Sequence, residues 1–279
     1  DIKNEIATEV RKLIDNGFPA PHLATLIVGE DGASTTYVNS IERNCKEVKF
    51  TSSIYQFSAT AKESDILNAI DFINNDPEID GFILQLPLPA HISKEKVLAK
   101  ISPDKDIDCF TAVNKGKLLL GENTYIPATP YGAIELLKRS AIETEGKNCV
   151  VVGRSNIVGK PLAILLTKNS AEGNATVTIC HSKSKDLPKV CAQADILLVA
   201  IGQPEMITEK YVKKDAVVID IGIHRINDPN NEKGYRLCGD VKYDEVAPKT
   251  SAITPVPGGV GPMTMACLLL NTLKAYGKR

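Results

Sequence analysis

Cys149-Val150-Val151-Val152 runs directly into Gly153-Arg154-Ser155-Asn156-Ile157-Val158-Gly159-Lys160-Pro161, and a helix is predicted to follow. A short apolar strand, a glycine at its end and a helix soon after is the local plan of a parallel α/β fold. The glycine permits a tight turn and close approach of backbone to a pyrophosphate, whose charge then meets a helix N-terminus. The match to the G-x-G-x-x-G pattern is incomplete, because Ser155 holds the middle position and the second glycine, Gly159, comes six residues after the first. A strand–turn–helix without a ligand reads the same up to this point.

The following segments raise the case for a dinucleotide. Ala175–Cys180, Ile196–Ala200 and Ala216–Ile221 are short, dense apolar runs, the pattern of strands buried on both faces of a doubly wound sheet. A NAD site places an acidic residue ~20 residues on, at the end of the second strand, to hold the ribose 2′-hydroxyl. Here that strand ends Ile179-Cys180-His181-Ser182-Lys183, with no carboxylate. Arg154 and Ser182, with Lys183 or Lys185, can clamp a 2′-phosphate through charge-assisted hydrogen bonds instead. Lys185 reads better as a solvated loop residue. The expected cofactor is NADP, and the expected contacts are Gly153, Arg154, Ser155, Ile157, Val158, Gly159, His181 and Ser182.

Ahead of this unit the chain alternates helix and strand. Ile2, Ile6, Val10, Leu13 and Ile14 stand at helical spacing over 2–16. Strands are expected at His22–Val28, 50–57 and Gly81 to Leu86, the last closed by Pro87-Leu88-Pro89. Helices are expected from a Ser34 cap to about Val48 and over 62–75. Thr111 to Tyr125 is poor in pattern, and Pro127 and Pro130 punctuate its end. Helix 131–139 bridges to the second unit, and a last helix, about 262–276, packs back on the first. The expected fold is therefore two α/β domains flanking a cleft, the second of doubly wound Rossmann type. Their expected extents are 1–127 plus 258–279, and 128–257.

Bulk properties agree with a globular protein. The 279 residues suffice for about two domains at ~100–200 each. With 43% hydrophobic and 24% charged residues the chain can bury real cores. A net charge of −1 gives no electrostatic case for nucleic acid or an acidic membrane. Seven scattered cysteines without a CxxC pair read as reduced thiols, which implies a reducing compartment, the cytoplasm. No run nears the ~18 apolar residues of a membrane span, and no signal-peptide pattern opens the chain. The chain opens on Asp1 without methionine, so a few native residues, a first strand among them, are expected ahead of it. His22, His91, His181 and His224 stand apart from one another and from ligand-spaced clusters, so no metal is expected. His224, beside Arg225, reads as a loop residue, either on the cofactor side or, the better reading, in a solvated loop.

Three motifs, Asp80-Gly-Phe-Ile-Leu-Gln-Leu-Pro-Leu-Pro89, Gly153 to Pro161 and Pro257-Gly-Gly-Val-Gly-Pro-Met-Thr264, stand in this order along the chain. With Lys105-Asp106-Ile107-Asp108 and Thr129-Pro130, they closely resemble the bacterial methylenetetrahydrofolate dehydrogenase/cyclohydrolase family over nearly the whole length. The resemblance implies NADP-dependent oxidation of 5,10-methylenetetrahydrofolate, then hydrolysis of the methenyl product to 10-formyltetrahydrofolate. It also implies a homodimer built through the dinucleotide domain. By motif, Tyr37 stacks on the aminobenzoyl ring, Gln85 sits beside the one-carbon unit and Asp108 holds the pterin's amino groups. Pro257, Gly258 and Gly259 shape the site where nicotinamide meets pterin, the glycines allowing close backbone approach. The residues alone leave blander roles open: helix packing for Tyr37 and a turn for Asp108. Gln85 is the polar exception in Phe82-Ile83-Leu84-Gln85-Leu86, and a buried amide without partners would cost roughly 1–3 kcal/mol.

One departure bears on chemistry. The family reads Tyr-Val-x-x-Lys, its lysine being the principal catalytic group, whereas this chain reads Tyr37-Val38-Asn39-Ser40-Ile41. Ile41 stands one helical turn after Tyr37, on the same face. Lys49 and Cys109 also stand where the family usually has glycine. Oxidising an N–CH2–N bridge leaves a resonance-stabilised cation and demands mainly orientation. Hydrolysing that cation needs water activation and proton transfer to a leaving ring nitrogen, where acid–base help typically gives ~10²–10⁴-fold. Isoleucine exchanges no proton, and Lys46 points elsewhere. The expectation is retained oxidation with hydrolysis lost or strongly reduced. Two other classes fit part of the pattern: a folate- or NADP-binding protein without turnover, and an NADP dehydrogenase of another small substrate, of shikimate type. The latter leaves the 80–89 and 257–264 motifs unexplained.

Overall fold

A computed structural model of the protein describes residues 1–29, 32–229, 231 and 233–278, the side chains of 32–37 excepted. The chain divides into two compact units, Asp1–Ala128 with Met265–Arg279, and Thr129–Thr264.

Unit 1 contains α1 (Ile2–Asp15), β1 (His22–Val28), α2 (Gly32–Glu47), β2 (Thr51–Phe57), α3 (Glu63–Asn75), β3 (Gly81–Leu84), α4 (Lys94–Lys100) and α5 (Ala112–Leu120). Its strands form a parallel sheet in the order β2-β1-β3. Helix α3 buries Ile66, Ile70 and Ile73, one stripe at helical spacing, against Leu26, Phe82 and Val97. Each such side chain contributes roughly 1.5–3 kcal/mol by leaving water. Helix α2 begins at Gly32, so Ser34 lies inside it instead of capping it. Strand β3 ends at Leu84, short of the expected Leu86, where the Leu86–Pro87 peptide is cis.

The stretch 111–125 contains a helix that its sequence pattern did not reveal. Thr111 caps α5 by accepting the Asn114 N–H on Oγ1, and Gly121 ends it in the left-handed conformation at φ 73°. Its buried members are Asn114 and Leu118, too few for a periodic apolar stripe.

Helix α6 (Ala128–Arg139) leads into unit 2, which contains β4 (Asn148–Val152), α7 (Gly159–Thr167), β5 (Thr176–Cys180), α8 (Leu187–Cys191), β6 (Ile196–Val199), β7 (Val217–Asp220), β8 (His224–Asn227), β9 (Tyr235–Cys238), α9 (Tyr243–Val246) and β10 (Ala252–Ile253). Its sheet is parallel, in the order β10-β7-β6-β4-β5. Strands β4, β6 and β7 are buried apart from the half-buried Asn148 at the start of β4, as their apolar runs require. Strand β5 departs from that expectation: it is the sheet edge, and Thr176, Thr178 and Ile179 are exposed. An antiparallel hairpin, β8–β9, stands apart from the sheet.

The final helix, α10 (Val260–Tyr276), starts in unit 2 and continues in unit 1. The crossing falls after Thr264, later than the Gly258 boundary expected from the Pro/Gly-rich stretch. Local packing accounts for the difference. Thr264 Oγ1 donates to Thr129 Oγ1 at 3.2 Å, and a Cβ on Gly132 would stand 2.9 Å from Met263 Cβ. The first turn of α10 is thus seated on the start of α6.

Candidate functional sites

In unit 2, strand β4 has β5 on one side and β6 on the other, so the winding reverses between β4 and β6. In open α/β sheets the ligand crevice lies outside the C-terminal strand ends at that switch point. Gly153 occupies it, with φ +127°, and a Cβ there would stand 2.2 Å from the Ala200 carbonyl oxygen. A Cβ on Gly159 would stand 2.1 Å from the Gly153 carbonyl oxygen. Both positions need glycine, and together they keep a narrow backbone cradle at the helix α7 N-terminus. The Ser155 hydroxyl accepts the Val158 and Gly159 N–H groups at 3.0 and 3.4 Å, ordering the turn. Ile157 is 36% exposed, an apolar surface at the cradle's rim.

Register brings the two expected phosphate ligands to one edge. Val152 pairs with Cys180, and Arg154 and Ser182 each follow two residues later on neighbouring strands. Both side chains are exposed. The turn between them and α8 is self-contained: Ser184 Oγ accepts the His181 N–H at 3.0 Å, and His181 Nδ1 accepts the Lys183 N–H at 3.1 Å. His181 is thereby committed through one ring nitrogen to the turn itself.

Two buried carboxylates near this edge had no signal in the sequence. Asp220, 3% exposed, ends β7, and Asp240, 0% exposed, lies in the connection between β9 and α9. Burial, helped by the charge of Asp240, pushes Asp220 up to about 6, although it accepts N–H groups from Gly222, Asp240 and Val241. His224 proves not to be a solvated loop residue. It starts β8, and its Nε2 lies 2.8 Å from Asp240 Oδ1 with the side chain 19% exposed.

The segment 254–259, with Gly258 at φ +109°, follows β10. A Cβ on Gly259 would stand 2.6 Å from the Pro255 carbonyl oxygen, so this turn too excludes any side chain. Pro257 and Gly258 are exposed and Gly259 is buried.

In unit 1, Gln85 follows the C-terminal end of β3, and Asp108 lies in the turn that follows a parallel bridge between Phe82 and Asp106. Gly81 makes that approach possible, because a Cβ there would stand 2.8 Å from Ile107 Cγ2. Gln85 is half-buried, and its Nε2 donates to the Leu86 carbonyl at 3.2 Å. The premise of a buried, partnerless amide therefore falls, since one donor is satisfied locally. Burial pushes Asp108 up to about 6, against the Ala128 N–H and Lys115, which favour its charge.

A polar frame holds this segment. Asp106, 2% exposed, accepts the Phe110 and Thr111 N–H groups, the Thr111 hydroxyl and Asn114 Nδ2, all within 2.9 Å. Asn271 Nδ2 donates to the Ile107 and Ile126 carbonyls, each at 2.7 Å. Lys115 Nζ donates to the Phe110 carbonyl at 2.8 Å. Asp106 stands in the Lys105–Asp108 motif, but no role of Thr111, Asn114, Lys115 or Asn271 in this frame is legible in the sequence, since each depends on its tertiary partners.

The side chain of Tyr37 lies outside the described residues. Ile41 is 1% exposed, on the α2 face that also buries Val38 and Cys45, whereas Lys46 is exposed. Lys49 and Cys109 adopt φ 63° and 56°, left-handed values at which glycine is favoured. All seven cysteines are buried and none is in a disulfide, and burial pushes Cys45, Cys109, Cys149 and Cys191 up to about 12. Among the described residues no His, Cys, Asp and Glu cluster could hold a metal, and no helix is long and apolar enough to cross a membrane.

Comparison with known proteins agrees along the whole chain. Residues 1–108 match the family model for the tetrahydrofolate dehydrogenase/cyclohydrolase catalytic domain, and residues 127–279 match that for its NAD(P)-binding domain. The bifunctional protein FolD of Cytophaga hutchinsonii is 54% identical over 274 residues, covering 98% of this chain and 94% of the relative. The crystal structure of the bifunctional FolD methylenetetrahydrofolate dehydrogenase/cyclohydrolase of Campylobacter jejuni superposes with a TM-score of 0.93 at 41% identity, covering 100% of this chain and 95% of that one. The Trypanosoma brucei enzyme, solved with NADP and an inhibitor, gives 0.93 at 36% identity, covering 99% and 94%. The chain belongs to the tetrahydrofolate dehydrogenase/cyclohydrolase family.

Proposed function

We infer that this protein is an NADP-dependent methylenetetrahydrofolate dehydrogenase of one-carbon folate metabolism whose cyclohydrolase step is lost or strongly reduced. Family membership over both units carries the oxidative half, and Ile41 carries the doubt about hydrolysis. NADP, when bound, takes up the hydride that leaves the substrate's methylene carbon. The Gly153–Gly159 turn admits a side chain at neither glycine and leads into the α7 N-terminus, where a pyrophosphate's charge is favoured. Arg154 and Ser182 then hold the 2′-phosphate, and no acid competes for that place at the end of β5.

In unit 1, Asp108 binds the pterin's amino groups as a carboxylate, and Gln85 lines the place of the one-carbon unit. Tyr37 orients the aminobenzoyl ring. Pro257, Gly258 and Gly259 bound the nicotinamide side. Oxidation asks these residues only to orient, because no carbon-bound proton has to be abstracted. Hydrolysis asks for a proton-exchanging group, and the position the family gives to lysine holds a buried isoleucine. Assaying oxidation with NADP against NAD, alongside methenyl hydrolysis, tests both halves.

A homodimer formed through unit 2 is part of the same proposal. The outer edge of β5 carries no further strand among the described residues, and Ile179 on it is 39% exposed. Light scattering that returns a monomer mass at micromolar concentration would rule the dimer out. The buried, reduced cysteines support a cytoplasmic location.

A further inference from the structure

The crevice at the β4/β6 switch point has a second wall besides the glycine cradle, the segment Ala200-Ile201-Gly202-Gln203 that leaves β6. Ala200 is already in contact range of Gly153, so a shift of this segment would change the cradle's shape. Its conformation is set from a distant part of the chain. Asp240 Oδ2 accepts the Ile201 N–H at 2.8 Å and the Gly202 N–H at 3.2 Å. Asp240 Oδ1 accepts the Gln203 N–H at 2.8 Å and lies 2.8 Å from His224 Nε2.

Three consecutive backbone N–H groups converging on one carboxylate form the kind of concavity that elsewhere binds an anion. Here the protein fills it with its own buried side chain. The backbone that carries this carboxylate is itself held: Asp220 Oδ1 accepts the Asp240 N–H at 3.0 Å, and Asp220 Oδ2 accepts the Val241 N–H at 2.9 Å. Space is equally restricted, since a Cβ on Gly222 would stand 2.4 Å from Asp240 Cγ. The β8–β9 hairpin is tied to the same wall twice. His224 reaches Asp240, and Arg236 makes two bonds to Glu205, at 3.0 and 2.8 Å, just beyond Gln203.

We propose that Asp240 is a positioning residue for the dinucleotide crevice: it holds Ile201–Gln203 in the conformation that admits NADP, and His224 couples that grip to the hairpin. The proposal rests on reading unit 2 as the NADP-binding unit. Asp240 acts through the loop, because its two oxygens are occupied by the loop N–H groups and His224.

The test is calorimetric titration of NADP into the full chain, first unaltered, then as Asp240→Asn and His224→Ala. The amide keeps the carboxylate's shape but turns a donor toward the loop's N–H groups. The expected result is a Kd for NADP at least tenfold higher for Asp240→Asn and about threefold higher for His224→Ala. In steady state the loss should appear in KM for NADP, with kcat at saturating NADP within about twofold of the parent. A merely structural role would lower the melting temperature and leave Kd unchanged. A folded Asp240→Asn variant that binds NADP within twofold of the parent overturns the proposal. Should Asp240→Asn fail to fold, an unchanged Kd in His224→Ala overturns it equally. An unaltered chain that binds no NADP would overturn the reading of unit 2 itself, and the parent titration separates that outcome from the others.

Discussion

A methyl group on Gly153 would collide with the carbonyl oxygen of Ala200, the two standing 2.2 Å apart once a Cβ is built. The backbone at Gly153 is also at φ +127°, where a side chain is strained whatever the space. Gly153→Ala must therefore move the cradle or the β6 loop. The expected outcome is at least a tenfold rise in Kd for NADP, read by calorimetry, with a stability loss of ~1–3 kcal/mol in denaturant unfolding.

Asp108 couples substrate binding to pH. Burial raises its carboxyl from an ordinary 3.8 to about 6, with Asp106 adding to the rise and Lys115 opposing it. Below about pH 6 the group is protonated and loses the charge that attracts the pterin's amino groups. KM for 5,10-methylenetetrahydrofolate is thus expected to climb as pH falls through 6. Asp108→Asn should abolish that dependence and lower kcat/KM about 10–100-fold, the span of a hydrogen bond to a charged group at ~1.5–3 kcal/mol. Stability carries the opposite sign. The folded state binds the proton more tightly than the unfolded chain, so the burial cost grows as pH rises from about 4 to 6. Asp108→Asn should accordingly stabilise more at pH 8 than at pH 4, which paired denaturation curves would reveal.

Lys49 is exposed and sits at φ 63°. Lys49→Gly removes left-handed strain without removing packing, and the expected gain is ~1 kcal/mol, offset in part by glycine's greater chain entropy. The midpoint of urea unfolding should rise at constant slope. A fall in midpoint would contradict the strain argument.

Ile41 sits at 1% exposure, so a lysine introduced there enters a low-dielectric setting. Desolvation lowers the pKa of a buried lysine. That is the direction a proton-exchanging group working near neutrality needs. Ile41→Lys should therefore lose stability, by ~1–3 kcal/mol in thermal or denaturant unfolding, while gaining hydrolytic function. A stable variant with an ordinary, solvent-exposed lysine would show that the α2 face is more open than its burial indicates.

Legibility in the sequence followed the physics of each element. Strands β4, β6 and β7 were plain because burial on both faces demands unbroken apolar runs. The cradle was plain because glycine at a strand end has a steric reason to be there. Helix α5 was hidden, since it is defined by the Thr111 and Gly121 caps more than by any stripe. The β8–β9 hairpin was hidden because His-Arg-Ile-Asn and Tyr-Arg-Leu-Cys are short and polar, and their support is tertiary: His224 to Asp240, Arg236 to Glu205, and Arg225 over the Tyr235 ring at 3.7 Å. Strand β5 misled because its composition resembles a buried strand while its place at the sheet edge exposes it. Asp240 carried no local mark at all, for its role exists only where three loops converge.

Oxidation and hydrolysis come apart in this chain if Ile41 has removed the proton-exchanging group that only hydrolysis needs. The decisive measurement follows 5,10-methylenetetrahydrofolate and NADP to products with the purified protein, beside Ile41→Lys under the same conditions. The unaltered chain is expected to reduce NADP and accumulate the methenyl compound, which then hydrolyses only at its spontaneous rate, while Ile41→Lys speeds 10-formyltetrahydrofolate formation by ~10²-fold or more. Hydrolysis by the unaltered chain at the rate of the lysine variant would contradict it.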